Sequence, residues 1–169
     1  MKRNMVAINI GLLRSLTANF AAAIVPAMLM ILSLSIPAFA QSSNNPGKAE
    51  SEIRSVLDAQ AAAWNRGDVE GYMDGYDRSP KTEFVGGDSI TRGWQEVLDR
   101  YKQKYDTREK MGTLTFSDLE INMLSGDAAL ALGRWRLKRA TDEPHGTFTL
   151  LFRKTKAGWR IVHDHSSSA

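Results

Sequence analysis

The spacing of the apolar residues changes near Thr113, and this change constrains the fold more than any other feature of the sequence. Before this point, apolar residues recur at the spacing of amphipathic helices. After it, apolar and polar residues alternate with the period of two that is typical of β-strands. Helices followed by a run of strands indicate an α+β domain, in which the helices pack on one face of a curved, mainly antiparallel sheet.

The first half of the chain predicts three helices. Residues 50–66 and 68–76 have helical spacing, and Gly67 and Asp68 between them are suited to ending one helix and capping the next. The third helix, residues 94–105, has the clearest pattern. Its apolar positions fall at i, i+3, i+4, i+7 and i+11, which defines one buried face: Trp94, Val97, Leu98, Tyr101 and Tyr105.

The strands are predicted in two groups. Two short strands, 82–86 and 89–92, precede the third helix, joined by a turn that contains two glycines. Four longer strands follow it, at 114–124, 128–140, 146–154 and 159–166. Short polar links join the longer strands, and links of this kind predict an antiparallel meander.

Residues 1–40 have the three parts of a cleavable secretion signal. Lys2, Arg3 and Arg14 give it a positive start, an apolar stretch follows, and Ala38-Phe39-Ala40 matches the small-x-small pattern of a signal peptidase site. The apolar stretch is interrupted by proline and is shorter than the roughly 20 residues of a spanning helix. We therefore expect export to the periplasm or the extracellular space, and no membrane span in the mature protein.

Cleavage of this leader changes the charge of the protein. The chain has 22 Lys and Arg against 19 Asp and Glu, and the three bases of the leader account for the whole excess. The remaining 129 residues are formally neutral, which argues against nucleic-acid binding because a phosphate-binding surface needs a basic excess. They are predicted to form a flexible N-terminus, 41–48, and one domain, 49–167. The chain has no cysteine, so packing alone must stabilise it.

The order of three short motifs resembles a known superfamily. These are Trp-Asn-Arg-Gly-Asp at 64–68, Arg-Gly-Trp at 92–94, and the last strand, 158–166, which ends in His-Asp-His-Ser. The arrangement is similar to the SnoaL-like superfamily, the cone fold shared by nuclear transport factor 2 and ketosteroid isomerase. Within it, the chain is most similar to small bacterial proteins related to the association domain of calcium/calmodulin-dependent kinase II. The resemblance implies an α+β cone, a homodimer, and a pocket between helices and sheet, but no particular reaction.

The last strand carries the first candidates for catalysis, His163 and His165. A regular period of two places both on one face with Trp159 and Ile161, directed into a semi-enclosed cavity. Imidazole titrates near neutral pH, so either histidine is suited to general acid–base catalysis. Structural hydrogen bonds to neighbouring groups, or a polar pocket without catalysis, are the alternative roles, and the structural role is the more usual one for such residues. A metal site would need a third ligand that no motif supplies, and we expect neither a metal nor a cofactor.

Glu83 is the third catalytic candidate, as a carboxylate base beside an apolar wall, with a tyrosine as hydrogen-bond donor. The candidate ligand-binding residues are aromatic or apolar side chains expected in the pocket wall: Trp64, Tyr72, Tyr76, Phe84, Trp94, Trp135 and Leu150. Each is also suited to simple core packing. Trp135 and Leu150 stand where the kinase association domain has arginines, so the resemblance does not extend to its anion-binding pocket.

Three classes of function remain open at this point. The protein binds a small organic ligand in an apolar pocket, or it is an isomerase, lyase or hydrolase that uses a pocket histidine or acid. The third class is a non-catalytic dimerisation or interaction domain, which would need an exposed apolar patch such as Leu130 and Leu132 on the outer face of the sheet.

Overall fold

The computed structural model describes residues 46–169. The predicted signal peptide, 1–40, and residues 41–45 of the predicted flexible N-terminus lie outside this part of the chain. The first helix, α1, spans Pro46–Asn65 and therefore includes the end of the segment predicted to be flexible. None of the helices in the described part is long and apolar enough to cross a membrane.

The elements follow the predicted order. In chain order they are α1 (Pro46–Asn65), α2 (Val69–Met73), β1 (Glu83–Gly86), β2 (Ser89–Arg92), α3 (Trp94–Lys104), α4 (Arg108–Met111), β3 (Thr113–Met123), β4 (Ala128–Lys138), β5 (His145–Thr155) and β6 (Gly158–Ser166). The α+β class is confirmed. The short helix α4 was not predicted, and α2 ends before Tyr76.

One six-stranded sheet contains all the strands of residues 46–169, in the order β2-β1-β6-β5-β4-β3. Strands β3 to β6 form the predicted antiparallel meander. The first hairpin joins it by a parallel pairing of β1 with β6. The core lies between the helices and one face of this sheet. Its largest fully buried side chains are Trp159, Tyr76, Phe152, Ile53, Leu57 and Met73.

Hydrogen bonds from the end of α1 tie that helix to the sheet. The Asn65 side chain donates to the carbonyl of Leu114 at 3.0 Å and accepts from the Leu114 N–H at 2.7 Å. The indole N–H of Trp64 donates to the carbonyl of Met111 at 3.0 Å. These bonds explain why Trp and Asn stand together here: each satisfies backbone groups where β3 begins.

Gly67 and Asp68 turn the chain into α2. Gly67 has a φ of 87°, in the left-handed region that favours glycine after a helix. The carboxylate of Asp68 then caps α2 by accepting from the Gly71 N–H at 2.7 Å.

Strand β6 contains an irregularity that decides which side chains face the core. It pairs Ile161 with Phe152 and His163 with Leu151, so that Val162 has no partner on β5. One extra residue on one strand of an antiparallel pair is a β-bulge, and it shifts the alternation of side chains beyond it.

The bulge reverses the predicted orientation of the two histidines. Trp159 and Ile161 face the core, with 2% and 1% of their surface exposed, but beyond the bulge Asp164 is the buried residue, at 3%. His163 is half-buried and His165 is exposed. The prediction that the histidines share a face with Trp159 and Ile161 is therefore wrong, because it assumed an uninterrupted period of two.

Candidate functional site

A cavity of about 320 Å³ lies between the helices and the concave face of the sheet. Most of its lining residues are aromatic or aliphatic, and the sheet contributes Leu114, Phe116, Trp135, Phe148, Leu150 and Ile161. Four tyrosines from the helical half complete the wall: Tyr72, Tyr76, Tyr101 and Tyr105. Charged groups of the lining come from both layers: Asp164 on the sheet, and Arg100 and Lys104 on α3.

Asp164 is more deeply buried than the two other charged residues of the cavity wall, with 3% of its surface exposed. The hydroxyl of Tyr76 donates to its Oδ2 at 2.6 Å, and the hydroxyl of Ser166 donates to its Oδ1 at 2.7 Å. Burial raises the pKa of Asp164, although both hydroxyls and the nearby histidines act in the opposite direction. No Lys or Arg of residues 46–169 forms an ion pair with it. Such a carboxyl is suited to hydrogen bonding and to proton transfer.

Backbone pairing places Tyr76 beside this carboxyl. Gly75 accepts from the N–H of Ile161 at 2.9 Å, and the N–H of Asp77 donates to the Ile161 carbonyl at 2.9 Å. The segment 75–77 therefore runs along β6 as a short additional bridge. Because Tyr76 lies at the centre of this bridge, its hydroxyl reaches Asp164 on the same strand.

The neighbouring tyrosines are buried and neutral. Burial is the main cause that raises the pKa values of Tyr72, Tyr76 and Tyr101 above the usual value, and the charge of Asp164 adds to it. The ring of Tyr72 lies 5.3 Å from that of Tyr101 and 6.1 Å from that of Tyr76, between centroids. The cluster thus presents phenol hydroxyls next to a carboxyl at a buried site.

Two cationic side chains of α3, Arg100 and Lys104, also line the cavity. The guanidinium of Arg100 lies 4.5 Å from the ring centroid of Phe84, and the ammonium of Lys104 lies 5.4 Å from that of Tyr105. Partial burial, with the charges of Arg100 and Arg139, lowers the pKa of Lys104.

Six of the seven candidate ligand-binding residues line the cavity: Trp64, Tyr72, Tyr76, Phe84, Trp135 and Leu150. Trp94 is the exception. Its indole N–H donates to the carbonyl of Met73 at 3.0 Å, and the guanidinium of Arg78 lies 4.3 Å from its ring centroid. The prediction that Trp94 is a pocket residue is therefore wrong, because its ring packs between α2 and the following loop.

The three catalytic candidates lie outside the cavity lining. His163 Nδ1 lies 3.1 Å from Glu83 Oε2, and Arg92 donates to the other oxygen of Glu83 at 2.9 Å. The hydrogen bond with His163 is the main cause that lowers the pKa of Glu83, and the hydrogen bond with Arg92 adds to it. His165 is exposed on the same side of β6 as His163. Within the described residues, no three His, Asp or Glu side chains form a group that could hold a metal ion.

Asp164, Arg100 and Lys104 are the site residues that the sequence did not reveal. Asp164 was assigned to the opposite face of the last strand, and only the bulge brings it inward. Arg100 and Lys104 each precede a tyrosine of the apolar face of α3. Positions beside an apolar stripe often lie at the edge of a buried surface, and this is the one feature of the sequence from which their place in the cavity wall could have been predicted.

Comparison with known proteins decides the family. Residues 53–169 match the profile of the SnoaL-like domain. The chain belongs to the SnoaL-like domain family. The predicted superfamily is thus confirmed, and the arrangement of helices on a curled sheet is its cone fold. A search of curated proteins found no significant match.

Solved structures show the same fold. An NTF-2-like protein of unknown function from Shewanella oneidensis is 43% identical, with a TM-score of 0.67, over 70% of this chain and 98% of that one. A ketosteroid isomerase-like protein from Erwinia carotovora atroseptica is 19% identical, with a TM-score of 0.57, over 70% and 94% of the two chains. A calcium/calmodulin-dependent protein kinase II association domain from Xanthomonas campestris is 15% identical, with a TM-score of 0.57, over 70% and 86%. At such low identity, the last two similarities concern the fold alone.

Proposed function

We propose that this SnoaL-like domain binds a small organic molecule in its cavity, with an apolar body against the aromatic wall and a polar group at Asp164 and Tyr76. The observation that carries the proposal is a carboxyl that faces a cavity with 3% of its residue surface exposed and only hydroxyl donors as partners. A buried carboxyl without a cation is costly, and such groups concentrate at binding and catalytic sites.

The size and composition of the cavity support the same interpretation. Small-molecule sites have volumes of about 300–1,000 Å³ and are mainly apolar, with a few polar groups that orient the ligand. A volume of about 320 Å³ lies at the lower end of that range. It suits a compact molecule, of the size of one ring with short substituents.

A thermal-shift screen of the purified protein against small ketones, carboxylic acids and lipophilic metabolites tests the proposal. Hits are then measured by calorimetry. We expect Asp164→Asn and Tyr76→Phe each to weaken binding by about tenfold, the value of one hydrogen bond to a polar ligand group. His165→Ala is the matched control, since this exposed residue lies on the same strand but outside the cavity. Hits that respond to His165→Ala and not to Asp164→Asn would contradict the proposal.

Catalysis of proton transfer is the second candidate function, favoured by the short contact between Tyr76 and Asp164. Proton abstraction next to a carbonyl needs a carboxylate in a poorly solvated site and a neutral hydroxyl to stabilise the oxygen. In this proposal Asp164 takes the proton, and a cavity tyrosine, Tyr72 or Tyr101, donates to the carbonyl oxygen of the substrate.

Deuterium exchange distinguishes an enzyme from a binder. A ketone or keto acid found in the screen is incubated with the protein in D₂O, and its α-hydrogens are followed by NMR. Catalysis requires exchange that is lost in Asp164→Asn and retained in His165→Ala. Binding without exchange leaves ligand binding as the function and removes the catalytic candidate.

Export remains part of the proposal, on the basis of residues 1–40. It would place the cavity outside the cytoplasm, where the ligand is a molecule of the cell envelope or the surroundings. Sequencing the N-terminus of the protein purified from its native host tests this directly. A chain that begins at Gln41 supports export, and one that retains Lys2 and Arg3 contradicts it.

A further inference from the structure

We propose that the cation pair of α3, defined as Arg100 and Lys104, is an anion site, and that the bound molecule is a small organic acid whose carboxylate this pair holds. The inference rests on the proposed function, because it names the class of the ligand in the same cavity. It adds a second recognition point to that of Asp164 and assigns an orientation to the ligand.

The geometry gives both cations access to one ligand. Arg100 and Lys104 are four residues apart on α3, so they lie on the same side of the helix, one turn apart. Both line the cavity, together with the glycine turn between β1 and β2. The ring of Phe84 holds the guanidinium of Arg100 at 4.5 Å from its centroid, which limits the freedom of that side chain.

The charges of the pair are not neutralised within the described chain. Most other Lys and Arg side chains of residues 46–169 form an ion pair with an Asp or Glu, as Lys102 on the same helix does with Glu70. Neither Arg100 nor Lys104 has such a partner in that part of the chain. Arg139 lies close enough to contribute to the lowered pKa of Lys104, but its own charge is paired with Asp142 at 3.4 Å. Its Nε is buried without a hydrogen-bond partner among the described residues.

Unpaired cations of this kind favour an anionic ligand. Like charges one helical turn apart repel each other, and an anion between them removes the repulsion. A carboxylate of the ligand would avoid Asp164, which carries the same charge when ionised. The acid group therefore lies at Arg100 and Lys104, and a neutral hydroxyl or carbonyl of the ligand faces Asp164 and Tyr76.

The aromatic wall of the same cavity defines the rest of the ligand. Phe116, Trp135, Phe148 and Leu150 supply an apolar surface without a charge. A carboxylic acid with one aromatic or alicyclic ring and a separate hydroxyl or oxo group satisfies all three parts of the cavity. The arginine positions that the kinase association domain uses are not needed, because the cations come from α3 instead.

Matched acids and amides test the inference by calorimetry. The probes are 4-hydroxybenzoate with 4-hydroxybenzamide, cyclohexanecarboxylate with cyclohexanecarboxamide, and inorganic phosphate alone. We expect each acid to bind at least about tenfold more tightly than its amide, and added salt to reduce the difference. Lys104→Gln and Arg100→Gln should each weaken binding of the acids about tenfold and leave binding of the amides unchanged.

Lys81→Gln is the control for the loss of one positive charge, since Lys81 is exposed, has no ion pair among residues 46–169 and lies outside the cavity lining. Equal weakening in Lys81→Gln and Lys104→Gln would overturn the anion site. Equal binding of acids and amides would also overturn the anion site. If Asp164→Asn weakened that equal binding, the proposed ligand cavity would still stand. Inorganic phosphate that binds as tightly as the acids would overturn the organic-acid class. If no acid binds, the inference is wrong, and the thermal-shift screen decides separately whether the cavity takes neutral ligands.

Discussion

Replacing Tyr76 with phenylalanine removes the hydroxyl that donates to Asp164 at 2.6 Å and leaves the buried ring in place. Asp164 then retains one donor, the hydroxyl of Ser166. With Asp164 ionised, a hydrogen bond to a charged group is lost, at a cost of about 1.5–3 kcal/mol. With Asp164 protonated, the bond lost joins two neutral groups and is worth about 1 kcal/mol.

The cost of Tyr76→Phe should therefore depend on pH. Burial raises the pKa of Asp164 in the folded protein, and the Tyr76 hydroxyl lowers it, so the variant has a still higher folded pKa. A raised folded pKa gives stability that is complete below the unfolded value of about 3.9 and is lost as the pH rises through the folded value. We expect the free energy of unfolding to fall by about 1 kcal/mol near pH 4 and by about 1.5–3 kcal/mol near pH 8.

Urea denaturation followed by tryptophan fluorescence at several pH values measures both effects. Tyr105→Phe is the matched control, because its hydroxyl lines the same cavity and has no hydrogen bond within residues 46–169. That variant should change stability by less than about 0.5 kcal/mol at any pH. The account of Asp164 is refuted if the loss in Tyr76→Phe is the same across the pH range, or no larger than in the control.

Four further expectations follow from the structure. Asp164→Asn removes a group that is costly to ionise in the core, so the free energy of unfolding of the variant, relative to that of the wild type, should be more favourable at about pH 8 than at about pH 4 in the same urea assay. A difference between variant and wild type that does not depend on pH would contradict this. Asn65→Ala loses both hydrogen bonds to Leu114 and should cost about 1–3 kcal/mol in thermal and urea unfolding. Gly133→Ala places a methyl group 2.5 Å from the ring of Phe148, and the resulting strain should lower the free energy of unfolding by about 1–3 kcal/mol. No loss of stability would contradict this and would show that the ring of Phe148 moves aside. Sedimentation velocity should give the mass of a dimer, as the resemblance to the superfamily predicts, and a monomer at all concentrations would contradict it.

The sequence predicted the order and type of the main elements because local patterns determine them. The face of α3, the cap at Asp68 and the left-handed turn at Gly67 each depend on near neighbours, and the structure confirms them. The parallel pairing of β1 with β6 was not predicted, since it joins strands far apart in the chain. Hydrophobic spacing carries no information on which distant strand edges meet.

The candidate site was predicted in part, for a related reason. Aromatic residues at core spacing, such as Trp64 and Tyr72, line the cavity because the core and the cavity share the same faces of the same elements. The ionisable groups of β6, Asp164 and the two histidines, were misplaced because one unpaired residue, Val162, reverses the alternation of that strand. The sequence around Val162 has no glycine or proline to indicate a bulge. Which side chains of β6 point inward beyond Val162 is therefore decided by tertiary contacts, which the local sequence does not show.

The central claim is that the functional site is the cavity at Asp164 and not the histidine pair of the outer face. A ¹³C NMR titration of the labelled protein with the tightest ligand from the screen tests it directly, by following the side-chain carboxyl of Asp164 and the rings of His163 and His165 together. The account predicts that the carboxyl signal of Asp164 shifts with the occupancy of the ligand while both histidine rings stay unchanged. Shifts of the histidine rings with an unchanged Asp164 carboxyl would contradict it.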